Sequence, residues 1–158
     1  MQPWSISGCA GALFTHRADW SVGCANPTTC AALEPLALAG RFRANIVLTV
    51  VNNGSMTFGR WQARTDRLLP IMLDGYEVID LERLAVCGRP GGRRMARHRA
   101  PCGLVVVFNQ WFVSIDGVGI TLTGTVDAPS FPLFNPAFER AAASLTISPT
   151  ALDSSAPA

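Results

Sequence analysis

The residues with the most evident chemistry are arginines clustered near the middle of the chain. Five fall between positions 89 and 99, together with one histidine and no acid: Arg89, Arg93, Arg94, Arg97 and Arg99. Guanidinium groups form paired hydrogen bonds with phosphates and with carboxylates. Gly91 and Gly92 within the cluster predict a flexible loop. The arginines therefore indicate a contact surface, either for nucleic acid or another polyanion or for an adjacent protein subunit. Because no aromatic residue is interleaved for base stacking, the protein contact is favoured.

Five cysteines could support a second kind of chemistry: Cys9, Cys24, Cys30, Cys87 and Cys102. Their odd number does not favour a complete disulfide framework. Cys9, Cys24 and Cys30 could ligate zinc together with His16, but the chain lacks the Cys-x-x-Cys pair that is typical of structural zinc sites. We therefore expect reduced, structural thiols and neither a metal nor another cofactor.

Catalytic patterns are not found in the sequence. The two histidines are His16, in an irregular segment, and His98, which lies among arginines, a poor setting for a general base. Gly-x-Ser-x-Gly and glycine-rich phosphate-binding motifs are missing. Asp74 and Asp116 each precede glycine, where turn formation explains them. The sequence predicts that the protein is not an enzyme.

The composition is that of a folded domain. The chain has 158 residues, 49% of them hydrophobic and 15% charged, and a formal net charge of +2. This length is sufficient to bury a sizeable core. All 13 basic residues are arginine, which is typical of a GC-rich genome. No run approaches the ~18 apolar residues of a membrane span, and no signal peptide is recognised.

Three zones follow from the patterning along the chain. Residues 1–38 show no sustained period and are predicted to form an irregular N-terminal arm, with Trp4 and Trp20 exposed for contact with neighbouring subunits. Residues 39–148 carry the regular patterns and are predicted to form a single β-rich domain. Residues 149–158 are rich in Pro, Ser, Thr and Ala and predict a flexible tail.

Alternation and turn residues place the secondary structure inside the β-rich domain. The alternation of Phe42 to Val50 predicts a half-buried strand, which the turn residues Asn52 to Ser55 join to a second strand over 56–63 in a hairpin. The spacing of Val78, Leu81 and Ala85 predicts a short helix. Further strands are predicted at 68–73, 104–108, 111–115, 118–126 and 138–148. Pro129, Pro132 and Pro136 predict a loop, without a helix, before the last of these strands. The predicted fold is mainly β, an antiparallel sandwich or barrel-like module of about six to seven strands with one short helix.

Four short phrases carry a resemblance to a known family. They are Leu69 to Tyr76, Leu81 to Ala85, Trp111 to Gly117 and Arg140 to Thr146. Together they resemble tail and baseplate proteins of tailed bacteriophages, as found in phages of GC-rich actinobacteria. The resemblance implies a structural subunit of the virion, assembled in the host cytoplasm into a ring through arms, loops and strand edges. Its partners would be copies of itself and other virion proteins. The alternative is a nucleic-acid or polyanion-binding module that acts through residues 89–99.

Overall fold

Two antiparallel β-sheets and two α-helices make up the part of the chain that the computed structural model describes, residues 3–36 and 40–148. The predicted fold class, mainly β with sandwich-like layers, is confirmed. A small sheet has the strand order β1-β2-β10, and a large sheet has the order β3-β4-β5-β9-β8-β7-β6. The elements are β1 (Trp4–Cys9), β2 (Ala12–Arg17), β3 (Ser21–Asn26), β4 (Thr29–Leu33), β5 (Asn45–Asn52), α1 (Phe58–Met72), β6 (Asp74–Val86), β7 (Arg89–Arg99), β8 (Val105–Ile115), β9 (Val118–Asp127), α2 (Phe131–Ser144) and β10 (Thr146–Ile147).

The core lies between one face of the large sheet and a layer formed by the small sheet and α2. Phe14 of β2 and Phe138 of α2 are fully buried there against Leu48 and Leu122 of the large sheet. Helix α1 packs on the other face, where Phe58 stacks on Phe112 with ring centroids 5.8 Å apart. Neither helix in the described part of the chain is long and apolar enough to cross a membrane.

The N-terminal segment is ordered, so the predicted irregular arm is wrong for the residues described. Strands β1 and β2 form a hairpin in the small sheet, and β3 and β4 form a hairpin that continues the large sheet through β5. Their apolar residues are small or interspersed with polar ones, which hid the two-residue period. Of the 1–38 arm, residues 1, 2, 37 and 38 lie outside the described residues, as does the whole 149–158 tail.

Helix α1 replaces the two strands predicted at 56–63 and 68–73. The Thr57 side chain caps it by accepting a hydrogen bond from the backbone N–H of Arg60, at 3.2 Å. Pro70 has no backbone N–H to donate to the preceding helical turn. It lies only two residues before the last helical residue, so the helix lacks this hydrogen bond only near its end. The helix is amphipathic: Phe58 and Trp61, three residues apart, both contact Phe112.

Strand β6 occupies the segment predicted as a helix. Its pairing with β7 shifts register between Val78 and Asp80, which indicates a bulge at Ile79. Val78 pairs with Ala96 and Leu81 with Arg94, so the bulge puts two residues three positions apart on the same face. A bulged strand thereby reproduces the spacing of an amphipathic helix.

Helix α2 contradicts the predictions of a proline-rich loop and of a last strand over 138–148. Pro132 lies in the first turn, where backbone N–H groups have no helical partner in any case. Phe134, Phe138 and Ala141 recur at helical spacing and are buried. Of the predicted strand, Thr146–Ile147 forms β10, which pairs with β2.

Candidate binding cleft between two sheet edges

A cleft of about 840 Å³ lies on the core-side face of the large sheet. We call it the edge cleft. It lies between β6 and β7 on one side and the C-terminal part of α2 with β10 on the other. Its apolar lining includes Leu84, Val86, Met95, Trp111, Leu145 and Ile147.

Both sides of the edge cleft include the last strand of a sheet. β6 ends the large sheet, and β10 ends the small one, so in the described chain each has a strand neighbour on one side only. The cleft is lined by the C-terminal half of β6 and by Thr146 and Ile147 of β10. The open side of an edge strand offers backbone N–H and C=O groups in regular spacing. The cleft therefore combines an apolar floor with an edge strand on each side.

The turn between β6 and β7 closes one end of the cleft. Cys87 and Gly88 both have positive φ, 53° and 70°, as a tight two-residue hairpin turn requires. The Cys87 thiol donates to the backbone carbonyl of Leu145 at 3.4 Å, which ties the hairpin tip to the end of α2. Burial raises the pKa of the Cys87 thiol, which favours the protonated form that donates this hydrogen bond.

A row of polar side chains crosses the floor at the other end. Arg93 donates to Glu82 at 2.6 Å and to Asp80 at 2.5 Å, both on β6. Its Nη1 also donates to Asn109 of β8, at 3.1 Å. Asn109 in turn donates to Asn135 of α2, and Asn135 to Glu139, both at 3.0 Å. The row connects the edge strand to the helix, and it occupies the donors of Arg93 with partners of the same chain.

The arginines predicted to form an exposed loop lie on strand β7, so the loop prediction is wrong. Opposite them, β6 supplies carboxylates: Glu77 lies 2.5 Å from Arg97, and Asp74 lies 4.0 Å from Arg99. Arg89 makes no ion pair within the described residues. Acids of the neighbouring strand thus offset part of the arginine charge, while Arg89, Arg97 and Arg99 remain exposed. Nucleic-acid binding through residues 89–99 stays a prediction.

Arg94 points to the opposite face from the other four, because side chains alternate along a strand. It is only 1% exposed and forms an ion pair with Asp66 of α1. Its Nη1 donates to Gln110 at 2.7 Å, and its guanidinium lies 4.9 Å from the centroid of the Phe112 ring. Arg94 therefore joins α1 to the sheet instead of presenting charge to a partner.

The two tryptophans predicted to be exposed are incorporated into the fold. Trp20 is buried, with its ring centroid 6.3 Å from that of Phe134. Trp4 is half-buried in β1, and the guanidinium of Arg140 lies 4.0 Å above its ring. The exposure expected for Trp20 is wrong, whereas Trp4 keeps part of its surface exposed. Contact of either residue with a neighbouring subunit stays a prediction.

The zinc ligands considered from the sequence do not form a metal site in the described structure. His16 is buried and hydrogen-bonds to the Ser7 hydroxyl and to the backbone carbonyl of Arg17, both at 2.8 Å. Within residues 3–36 and 40–148, no three His, Cys, Asp or Glu side chains converge as metal ligands would. The five cysteines are present as free thiols.

Sequence reasoning missed the edge cleft, although one signal of it was present. Leu84 and Val86 alternate with Arg83 and Ala85, a two-residue period that favours a strand over the predicted helix. The cleft also needs α2 and β10 opposite this strand, and the pairing of β10 with β2 joins residues more than 130 positions apart. Such a pairing cannot be inferred from local patterns.

No family model matches the chain, and no curated protein is similar to it in sequence. Solved structures do match over nearly the whole chain. A Pseudomonas aeruginosa protein of unknown function, described as a putative regulator, has a TM-score of 0.67 at 17% identity, covering 92% of this chain and 98% of its own. Cyanobacterial PsbP from Synechocystis has a TM-score of 0.68 at 13% identity, covering 94% of each chain. LpqN of Mycobacterium tuberculosis, described as involved in cell envelope biogenesis, has a TM-score of 0.67 at 13% identity, covering 94% and 86%. The likeness shows the fold alone.

Proposed function

We propose that the protein is a non-catalytic binding module that takes up an extended, apolar segment of a partner protein in the edge cleft. One observation carries the proposal: the cleft, with a volume of about 840 Å³, lies between two open sheet edges. Its volume is within the range of ligand sites, roughly 300–1,000 Å³. Its lining supplies apolar contacts, and its strand edges supply backbone partners.

A peptide fits these features better than a lipid or another apolar small molecule. In an extended peptide, alternate side chains point to the same side and could contact Trp111 and Leu84, while the backbone pairs with β10 or β6. A hydrocarbon chain would leave the backbone groups of both edges without partners, at a cost of about 1–3 kcal/mol for each group that it shields from water.

Filling the cleft tests the proposal. The exposed Ala143 lines the cleft from α2, so Ala143→Trp introduces bulk there without entering the core. Peptides that bind the full-length protein are first selected from a random-sequence library, and their affinity is then measured by fluorescence polarisation. We expect binding in the micromolar range and a loss of at least about tenfold, or 1.4 kcal/mol, in Ala143→Trp.

Ala63→Trp is the matched control, because Ala63 is an exposed helical alanine of α1, on the opposite face of the sheet. It should bind the selected peptides as the unmodified chain does. N-methylation of alternate peptide amides should weaken binding, since strand addition uses those N–H groups. Peptides that bind equally well to Ala143→Trp would contradict the proposal. Binding of fatty acids without any peptide would replace it with a lipid-binding function.

Assembly into a phage tail or baseplate ring stays a prediction from the sequence resemblance. It is compatible with a peptide-binding cleft, because subunits of an assembly commonly exchange extended segments. Neighbouring genes for tail or portal proteins would support this assignment, and neighbours of unrelated function would count against it.

A further inference from the structure

Two cysteines face each other in the hairpin at the end of the large sheet. Cys24 of β3 and Cys30 of β4 are direct cross-strand partners. Directly opposite residues of antiparallel strands have Cα atoms about 4.5 or 5.5 Å apart, both within the range of disulfides, about 4.4–6.8 Å. The side chains of such a pair also point to the same side of the sheet. The pairing of the two strands therefore places both sulfurs where a disulfide can form within the hairpin.

We propose that Cys24 and Cys30 form a thiol–disulfide site, in which a peroxide oxidises the two thiols to a cross-strand disulfide within the β3–β4 hairpin. The site is independent of the edge cleft, since β3 and β6 lie at opposite ends of the large sheet.

The two thiols differ in a way that assigns their roles. Cys24 is exposed and accessible to an oxidant, whereas Cys30 is fully buried. Burial, a hydrogen-bond contact with Cys24 and the nearby Cys24 and Cys9 thiols raise the pKa of Cys30 to about 12. Accessibility therefore makes Cys24 the thiol that meets the oxidant, and its position opposite Cys24 places Cys30 to resolve the product.

The reaction proceeds in two steps that balance. The Cys24 sulfur attacks one peroxide oxygen, the O–O bond breaks, and the departing oxygen leaves as water after taking up the thiol proton; Cys24 becomes a sulfenic acid. The Cys30 sulfur then attacks the Cys24 sulfur, the S–O bond breaks, and hydroxide leaves as a second water with the Cys30 proton. Hydrogen peroxide is reduced by two electrons, and the two thiols are oxidised to one disulfide.

Peptide mapping can identify this bond directly. Trypsin cleaves after Arg17 and Arg41 and releases residues 18–41, which hold Cys24 and Cys30 and no other cysteine. The folded full-length chain is treated with hydrogen peroxide, alkylated with iodoacetamide under denaturing conditions and digested. We expect peptide 18–41 to lose both alkylation sites and to be two hydrogens lighter than the reduced peptide, with reversal by dithiothreitol.

Single substitutions distinguish this bond from other thiol chemistry. Cys24→Ser changes an exposed position and should abolish the intrapeptide bond, whereas Cys102→Ser, at another exposed cysteine, should leave it intact. Cys9→Ser should also leave it intact. Three outcomes would overturn the proposal: full alkylation of Cys24 and Cys30 after oxidation, a cross-link between peptide 18–41 and the peptide of Cys9, or a disulfide between two copies of peptide 18–41.

Discussion

Arg94 is the most deeply buried charged side chain in the described structure, and its ion-pair partner Asp66 is far more exposed to solvent. The Arg94 side chain is 1% exposed, and that of Asp66 is 40% exposed. The Nε atom of Arg94 has no hydrogen-bond partner in the described structure. Its charge is thus compensated by one carboxylate on α1, supported by Gln110 and the face of Phe112.

Removing Asp66 and removing Arg94 should lower the free energy of unfolding by different amounts. Asp66→Ala leaves a buried guanidinium without a counter-charge, and we expect it to lower the free energy of unfolding by about 3 kcal/mol. Arg94→Met replaces the buried charge with an apolar chain and leaves a carboxylate that water can solvate, so the loss should be smaller. Urea denaturation measures both, and a larger loss in Arg94→Met would contradict this account of the site.

The contrast between Arg93 and Arg94 shows why the sequence alone did not predict which arginines are buried. In a loop, the five arginines would form one basic surface. In a strand, side chains alternate between the two faces, so Arg94 lies on one face and the other four lie on the opposite face. The acids that pair with Arg93, Arg97 and Arg99 were already present in the sequence at 74–82. Their role depends on the pairing of β6 with β7, which the predicted helix excluded.

Helix α2 is positioned by a glycine in the strand beneath it. Gly124 of β9 lies directly under the Phe138 ring, and a methyl group at this position would overlap the ring. Gly124→Ala should therefore push α2 away from the sheet and lower the free energy of unfolding by about 1–3 kcal/mol, as overpacking of a core does.

Gly23→Ala is the matched control for this substitution. Gly23 also lies in a strand of the large sheet, but apart from its two chain neighbours no described residue has an atom within 4 Å of the position a methyl group would take. We expect it to leave stability unchanged or to raise it by up to about 1 kcal/mol, because alanine has fewer unfolded conformations than glycine. Equal losses in the two variants, measured by urea denaturation, would show that the contact with Phe138 does not position α2.

Strand alternation predicted the centre of the large sheet well. The residues assigned to strands near 42–50, 104–115 and 118–126 lie in or overlap β5, β8 and β9, whose apolar residues are regularly spaced and buried. The predicted secondary structure was wrong where proline lies inside a helix or a bulge interrupts a strand. Pro70 and Pro136 lie inside helices, and the bulge at Ile79 disturbs the period of β6. The edge cleft is built mainly from these mispredicted elements, so the site was missed.

The whole molecule exposes apolar side chains on the C-terminal part of α1 and the adjoining half of β6. They include Leu68, Ile71 (82% exposed), Met72 (70% exposed), Val78, Ile79 and Leu81. An edge strand with exposed apolar residues favours pairing with another chain. The ring predicted from the sequence would need a head-to-tail contact, and the two edges of the large sheet offer one, with β6 of one copy meeting β3 of the next.

Charges placed on the two edges test that ring. Ile79→Lys modifies β6 and Val22→Lys modifies β3, and both wild-type residues are exposed. In a ring, each variant alone should convert the assembly to monomers at micromolar concentration, as measured by analytical ultracentrifugation. Leu133→Lys, at an exposed position of α2, is the control and should leave the assembly unchanged. Loss of the assembly in Ile79→Lys but not in Val22→Lys would indicate a two-fold dimer. A monomeric wild type would exclude both the ring and the dimer.

The tether from Cys87 to Leu145 and the polar row from Arg93 to Glu139 fix the edge cleft at both ends. Its two walls are thus held at a set separation before anything enters. Under the proposed function, an occupant would bind without waiting for a conformational opening, and little entropy would be lost in ordering the receptor. Differences in affinity between occupants would then arise chiefly from how long each remains bound, not from how fast it arrives.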